Sequence, residues 1–462
     1  MISIIELDQT AKEPLYQQIY AAFSSRIMDG RIREGEYLPS KRVLCEMLAV
    51  SHSTVESAYQ LLLAEGYIES SPRKGYRVLK VLALPKSTSP AKEAVPTDLS
   101  TAREDNQEKR KLDRFSTSAV ETESFPFDSW GRLTRDILYT HPHLLERGEG
   151  QGDLELRKAL KSFLFEYRGV TCREDQIVVG AGAVYLLDML MKLLPEMESI
   201  GVESPGYPGL WRAGSFLGRK MVPIPLTDQG ISVEELERHP DIRLCFTTPS
   251  HQFPTGVTMT VGLRSALLRW AERQEGYIIE DDYDSEFRYQ TRPIPALQSM
   301  DGGRRVIFLG TFSRSIAPSI RVAYMVLPEE LTVRYRAAFR GYDNSVSRLE
   351  QQVLARFLQS GMYSRHVRRT TRIYKERKEY LEKKLLEVFP AGWISGNEAG
   401  LHFLLHIPDL SKEDLISAAG KQGILLTALP SEETVLVIGF ADMSREKTDR
   451  MCSSLKQAIS DL

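Results

Sequence analysis

Between residues 81 and 112 the chain carries LPKSTSPAKEAVPTDLSTAREDNQEKRK, a run dominated by proline, serine, threonine and charge. Such a stretch cannot bury enough apolar surface to offset the entropy of ordering it, so it reads as a flexible linker. It forces the 462 residues to fold around at least two separate cores. Residues 1–80 are dense in helix signals and end in a hairpin. Residues 113–462 alternate short apolar runs with helix-period segments, the α/β pattern. The expected fold class is therefore multidomain: a small α+β head and a large α/β body.

Hydrophobic residues make up 42% of the chain and charged residues 26%, enough for a sizeable core. The net charge is -2, so a nucleic-acid role must rest on a local patch. The cysteines, at positions 45, 172, 245 and 452, stand too far apart for a CxxC pair. They signal neither a zinc site nor a disulfide framework, and no metal is expected; they suit the reduced thiols of an intracellular protein. Met1 to Thr10 has no basic start followed by a long apolar stretch, so it does not read as a signal peptide. No apolar run is long enough to span a membrane. A cytoplasmic protein without a membrane partner is expected, and no solenoid-type repeat is visible.

In the head, Leu15, Ile19, Phe23 and Ile27 recur every four residues and define one apolar helix face. Ser40 is placed to cap a second helix, Lys41 to Leu48, with Val43, Leu44, Met47 and Leu48 expected to face inward. After the short turn Ala49–Val50, Ser51 can cap a third helix that runs through Glu65 and buries Val55, Tyr59 and Leu62. Gly66 sits where a left-handed residue ends such a helix. Two helices joined by so short a turn have helix-turn-helix geometry. Tyr67–Ser70 and Gly75–Leu79 then pair around a tip that carries Arg73 and Lys74, positive charge suited to phosphate or minor-groove contact.

The segment LPSKRVLCEMLAVSHSTVESAYQLLLAEGYIESSPRKGYRV resembles the winged-helix head of the GntR family, a likeness covering about 70 residues. It implies a double-stranded DNA operator as partner. Ser40 and Arg42 should grip the backbone or a base, Ser51, His52, Ser53 and Thr54 should open the recognition helix, and Arg73, Lys74 and Gly75 should form the wing tip. The family usually has arginine where this chain has His52. Arginine can bond guanine with two parallel donors and histidine cannot, so a different base preference is expected there. Glu56, one turn on, would repel phosphate; it either points away or reads cytosine. Helix-turn-helix triplets also serve as packing or dimer units, and residues 1–80 carry ten Lys and Arg against ten Asp and Glu. The polar residues nonetheless fall at groove-facing offsets, which favours DNA binding.

In the body, Gln176–Gly182, Ile242–Ser250, Gly276–Asp284 and Arg305–Ser313 are β-branched or aromatic runs that end in polar or glycine-rich loops. Val261–Gln274 reads as a helix between two of them. Ligands of open α/β sheets collect at the carboxyl ends of strands, so these loops are expected to converge on one cleft. Pyridoxal phosphate needs an imine lysine, a carboxylate at the pyridine nitrogen, a donor at the ring hydroxyl, a phosphate cup and an aromatic cover. Gly182, Ala183 and Val184 offer the cup, Tyr207 the cover, EDDYDSEFRY the carboxylates, and GTFSRSIAPSIRVAYMVLP supplies Ser313 and Arg321.

This set resembles the fold-type I, class I aminotransferases, and more closely the bodies fused to GntR heads in the MocR/GabR subfamily of regulators; HQFPTG and EDDYDSEFRY carry that closer likeness. The resemblance implies Asp281 at the pyridine nitrogen, Tyr283 at the ring hydroxyl, and Arg321 and Ser313 at the phosphate. Taken singly, carboxylates after a strand are often solvated loop charges, and Tyr207 suits a core equally well.

The pattern breaks at its chemical centre. Where the family has lysine after Thr-Phe-Ser, this chain has Arg314, a permanently protonated guanidinium that forms no stable imine. No lysine occurs from Met221 through Tyr374; a substitute would have to come from Lys220 or Lys375 at the earliest. The cup helix starts with Val184-Tyr185 instead of Gln-Gln, and Val437 stands where class I enzymes carry a carboxylate-clamping arginine. Active transamination is therefore not expected. Arg314 would serve as a fixed cation for phosphate or carboxylate. Non-covalent pyridoxal phosphate, a cofactor–amine adduct, another anion or an empty cleft all remain open. The leading reading is a homodimeric transcription regulator responding to a small-molecule effector. The alternatives are a pyridoxal phosphate-dependent aminotransferase with an accessory DNA-binding head, and a regulator whose body only dimerises.

Overall fold

The computed structural model describes residues 7–8, 13–71, 74–80, 112–289, 294–431 and 433–462. The expected linker (apart from Leu112), most of the N-terminal ten residues and Arg73 of the wing tip lie outside them. The chain forms two compact units, one on each side of residues 81–111.

The first unit consists of α1 (Leu15–Met28), α2 (Lys41–Leu48) and α3 (His52–Ala64), then β1 (Ile68–Ser71) and β2 (Gly75–Val78). Both helices of the central pair start where serine hydroxyls can satisfy a free N–H. Ser40 Oγ accepts from the Val43 N–H at 3.3 Å, and Ser51 Oγ from the Thr54 N–H at 3.2 Å. Ala49, at φ 50°, ends α2 in the left-handed region, and Gly66, at φ 75°, follows α3. β1 and β2 pair antiparallel from Ile68 opposite Val78 to Ser71 opposite Gly75.

Ile19, Phe23, Leu44, Val55, Tyr59, Leu62, Ile68 and Val78 share one core. Tyr59 meets Phe23 and Tyr76 edge-on, and its hydroxyl donates to Pro39 O at 2.7 Å. The expected inward face of α2 needs correction. Leu44 is buried, but Val43 and Met47 are 46% and 50% exposed, and Leu48 is half-buried at the core margin. A helix of eight residues is about two turns long, and its contact stripe is narrow enough for Leu44 to fill.

The second unit is built on an eight-stranded sheet. Its strands are β3 (Ile177–Gly180), β4 (Ser199–Ser204), β5 (Lys220–Thr227), β6 (Gly230–Ile231), β7 (Ile242–Thr247), β8 (Tyr277–Asp282), β9 (Val306–Thr311) and β10 (Ala323–Val326). They lie in the order β3-β10-β9-β8-β7-β4-β5-β6. β10 runs antiparallel to both neighbours and β6 antiparallel to β5; the other pairings are parallel. Both faces are covered, which is why β7, β8 and β9 read as near-continuous apolar runs. Successive residues serve opposite faces. Ile279 packs with Leu186 and Leu190 of α4 (Ala183–Leu193), whereas Ile278 packs with Leu267 and Trp270 of α5 (Val261–Arg273).

A smaller antiparallel sheet follows, with β11 (Ile394–Ser395), β12 (His402–His406) and β13 (Val435–Gly439). Phe403, Leu405, Leu436 and Ile438 pack with Leu381 and Leu385 of the 25-residue α6 (Met362–Leu386). Among the described residues no helix is long and apolar enough to cross a membrane. The four cysteines are free, three of them buried.

The four strand runs marked in the sequence hold β3, β7, β8 and β9, and all four end at the same edge of the sheet. β10 begins at that edge too, because it runs the other way. The residues after β3, β4, β7, β8 and β9, and those just before β10, therefore surround one cleft.

Candidate functional site

On the head, the two capping serines use lone pairs as acceptors, which leaves their O–H groups able to donate outward. Ser51 Oγ also lies 2.9 Å from Ser53 Oγ and 2.7 Å from Thr54 Oγ1, so these hydroxyls cluster at the start of α3. Arg42 and His52 project, with side chains 89% and 65% exposed. Arg42 pairs with Glu46 at 3.2 Å. Lys74 is exposed at the hairpin tip, and Gly75 opens β2 at φ 99°.

Glu56 does not stand as an isolated negative charge. Lys41 Nζ of α2 donates to its Oε1 at 2.8 Å, and His52 Nδ1 lies 3.4 Å from its Oε2. Hydrogen bonding to Lys41 holds the Glu56 carboxyl below the usual range. The sequence reading missed this pair because its members lie fifteen residues apart on different helices.

On the body, Gly182 caps α4 at φ 101° and its N–H donates to Gly180 O. Ala183 and Val184 follow in the first turn, where a helix leaves its own N–H groups unpaired. The Arg321 guanidinium lies directly over Gly182: a Cβ there would sit 2.9 Å from Cζ and closer still to Nη2. Arg321 also donates to Ala181 O at 3.3 Å. Arg321 takes a left-handed φ of 55° just before β10. An exposed cation beside free helix N–H groups is a setting that attracts phosphate.

Tyr207 leads into the helix that begins at Pro208, and it packs partly against the core as well. Burial raises its pKa, and Asp281, Arg314 and Arg321 lie close enough to perturb it. Ser313 is half-buried; its N–H and Oγ both meet Thr311 Oγ1, at 3.2 and 3.0 Å. Asp281, near the end of β8, is pushed up to about 8 by burial first and then by the Asp282, Asp284 and Glu203 carboxylates, against the pull of Arg314. Its neighbour Asp282 is engaged elsewhere, held by Arg168 Nε at 2.8 Å and Nη2 at 3.1 Å. Among the described residues Asp281 belongs to no such pair. Arg314 Nη1 is buried and has no hydrogen-bond partner among the described residues.

Tyr283, expected at the ring hydroxyl, meets groups to which the sequence reading gave no role. Tyr283 Oη lies 3.0 Å from His251 Nδ1, and that nitrogen also lies 3.0 Å from Asp284 Oδ2. His402 of β12 stacks at a tilt on His251, 5.0 Å between centroids, and donates through Nε2 to Pro254 O. Burial, then the neighbouring His251, lowers His402 to about 3. His251, Asp284 and His402 are all buried, with donor atoms within 4.8 Å of one another. HQFPTG marked the loop but not His251; nothing local marked His402. Val437 lies in mid-strand and packs against Leu404 and Val435. Lys220 opens β5 at the opposite edge of the sheet and pairs with Asp241; Lys375 is half exposed beside Glu379.

Residues 15–78 match the model for bacterial regulatory proteins of the gntR family. The whole chain is similar to the uncharacterized HTH-type transcriptional regulator YdeL of Bacillus subtilis, 37% identical over 98% of each chain. It is 33% identical to the probable rhizopine catabolism regulatory protein MocR of Rhizobium meliloti, over 99% of this chain and 96% of that one. It is 30% identical to the pyridoxine biosynthesis regulator PdxR of Corynebacterium glutamicum, over 93% of each. Among solved structures, kynurenine aminotransferase of Pyrococcus horikoshii superposes with a TM-score of 0.69 at 23% identity, covering 80% of this chain and 96% of that one. LysN, the alpha-aminoadipate aminotransferase of Thermus thermophilus, solved with N-(5'-phosphopyridoxyl)-L-leucine, gives 0.67 at 23%, covering 78% and 96%. The body thus has the aminotransferase fold.

Proposed function

Because the chain belongs to the family of HTH-type transcriptional regulators that includes MocR and PdxR, and carries a GntR head and an aminotransferase-like body, we propose that its body binds a phosphopyridoxyl-type ligand without covalent attachment and without transamination, and that this binding biases how two heads meet an operator. The protein is a DNA-binding regulator. Arg314 carries the rest of the reading: by the resemblance of the Thr-Phe-Ser segment it stands where the family has its lysine, and a guanidinium forms no stable imine with the aldehyde.

The residues fit such a ligand. The absence of a Cβ at Gly182 lets the Arg321 guanidinium settle against the start of α4, which sets a cation beside the unpaired N–H groups there. Asp281 and Tyr283 flank Arg314 closely enough to feel its charge. When bound, pyridoxal phosphate would offer an aldehyde on an electron-withdrawing ring. Arg321, Ser313 and the N–H groups of Ala183 and Val184 would hold the phosphate, Asp281 the ring nitrogen, Tyr283 the ring hydroxyl, and Tyr207 would cover the ring.

In the head, Ser40, Arg42, Ser51, His52, Ser53, Thr54, Lys74 and Gly75 would form the DNA surface, with Arg73 at the wing tip. A homodimer would present two heads to paired half-sites, and a ligand acts only by favouring one arrangement over another. The test is selection of binding sites from random duplexes by the full chain, repeated with pyridoxamine phosphate. The expected result is a paired-half-site consensus whose affinity changes with ligand. Release of keto acid from amino acids in the presence of pyridoxal phosphate would overturn the non-catalytic reading.

A further inference from the structure

Arg314 is a cation placed in the cleft with a donor left over. It follows β9 by three residues, and its charge is felt by Tyr207, Asp281, Tyr283, Tyr374 and His402. These residues come from four separate stretches of chain, so the guanidinium sits where they converge. Its Nη1 is buried and donates to nothing among the described residues. Asp282 is taken by Arg168, and Glu203 by Thr247, Thr248 and Gln252. A planar cation with an unmet donor suits an oxyanion that can take two parallel N–H groups, above all a carboxylate.

Two placements say where that carboxylate belongs. Arg321 and the first turn of α4 form the phosphate-attracting corner, on β3 and β10. Arg314 is a second cation, on β9 and surrounded by the ring-facing residues. Val437, the expected site of a carboxylate clamp, is buried among Leu404 and Val435 and offers no donor. The two cations thus provide for a ligand with two anionic groups, a phosphate and something else.

We propose that the ligand is a preassembled conjugate, a phosphopyridoxyl ring carrying an amino acid through its nitrogen, and that Arg314 selects it by binding the amino-acid carboxylate. The proposal rests on the phosphopyridoxyl reading above and names the ligand class within it. Such a conjugate forms in free solution when an amino group condenses with the aldehyde and water leaves, so no protein lysine takes part. Arg314 is then a specificity residue, not the remnant of a lost active site.

The test uses two stable probes on the full-length protein: N-(5'-phosphopyridoxyl)glycine, and pyridoxamine phosphate, which lacks only the carboxymethyl group. Affinities are read by calorimetry for the wild type, Arg314→Met and Arg314→Lys. The expected result is a preference of about tenfold or more for the glycine conjugate in the wild type, equivalent to about 1.4 kcal/mol. Arg314→Met should lose that preference while still binding pyridoxamine phosphate, and Arg314→Lys should keep part of it. Equal affinities in the wild type, or a preference that survives Arg314→Met, would overturn the inference and leave the phosphopyridoxyl reading standing. Failure of the wild type to bind either probe would overturn both.

Discussion

Arg321 lies over Gly182 so closely that no other residue type fits at position 182 without moving the guanidinium. The two residues come from opposite ends of the sheet's connection order, before β10 and after β3, yet they meet because those strands are hydrogen-bonded neighbours. The glycine is needed twice over: its φ is 101°, a backbone region that L side chains rarely enter, and the space above its Cα is occupied by Arg321.

Gly182→Ala should therefore act on stability and on ligand together. The left-handed strain alone should cost about 1–2 kcal/mol. The displaced guanidinium should also lower affinity for pyridoxamine phosphate by tenfold or more. Thermal melting and calorimetry separate the two effects. A variant that melts lower but binds normally would place the phosphate elsewhere.

Lys41 and Glu56 tie the two helices of the DNA-binding pair together across their exposed edge. Lys41→Met should leave Glu56 facing the groove as a bare negative charge. Operator affinity is expected to fall about tenfold, and more steeply at low salt, where phosphate repulsion is least screened. Changing Glu56→Gln as well should recover most of the loss. Anisotropy titrations with a selected duplex read both steps. Stability should change little, since both side chains are partly exposed to solvent.

The buried carboxyls in and after β8 fix a direction for pH. Asp281 is raised to about 8, and Glu280 and Glu286 to about 7, burial being the first cause in each. In the unfolded chain such groups titrate near 4. Between those values the folded state holds more protons than the unfolded state, so stability falls as pH rises. The decline should flatten above about pH 8. Each group contributes a slope of up to about 1 kcal/mol per pH unit. Asp281→Asn should remove its share, leaving the melting temperature less sensitive to pH between 6 and 8. An unchanged slope would show that Asp281 is already ionised in the fold.

Much of the architecture was legible because its signals are local. Ser40 and Ser51 announce helix starts through their own hydroxyls, and Ile278 and Ile279 announce a strand buried on both faces. Asp281 and Arg314 were singled out by the resemblance, through EDDYDSEFRY and through the residue that follows Thr-Phe-Ser. The inward placement of Val43 and Met47 failed because an apolar residue on so short a helix can face solvent at little cost. Strands β4, β5 and β10 escaped, although β4 and β5 lie on one side of the sheet beyond β7. Arg168, Tyr374 and His402 reach their partners from more than a hundred sequence positions away. No local pattern encodes such meetings; they follow from the packing of the whole unit.

Arg314→Lys puts the non-covalent reading to its sharpest chemical test. The introduced amine would occupy the turn after β9, close to Asp281 and Tyr283, where the electrostatic neighbours of Arg314 converge. A lysine pKa shifts downward readily when its ammonium is desolvated, which frees the lone pair that attacks an aldehyde. The variant mixed with pyridoxal phosphate should therefore turn yellow, and borohydride should fix a pyridoxyl group to the introduced side chain, located by peptide mass. The wild type under the same treatment should show no fixed label within the cleft. Its other lysines set the background: Lys220 lies at the far edge of the sheet and Lys375 is half exposed beside Glu379. Labelling of the wild-type cleft would mean that some lysine does reach the ring. Absence of labelling in the variant would mean that the turn after β9 does not face the aldehyde, and the ligand would have to be placed differently in the cleft.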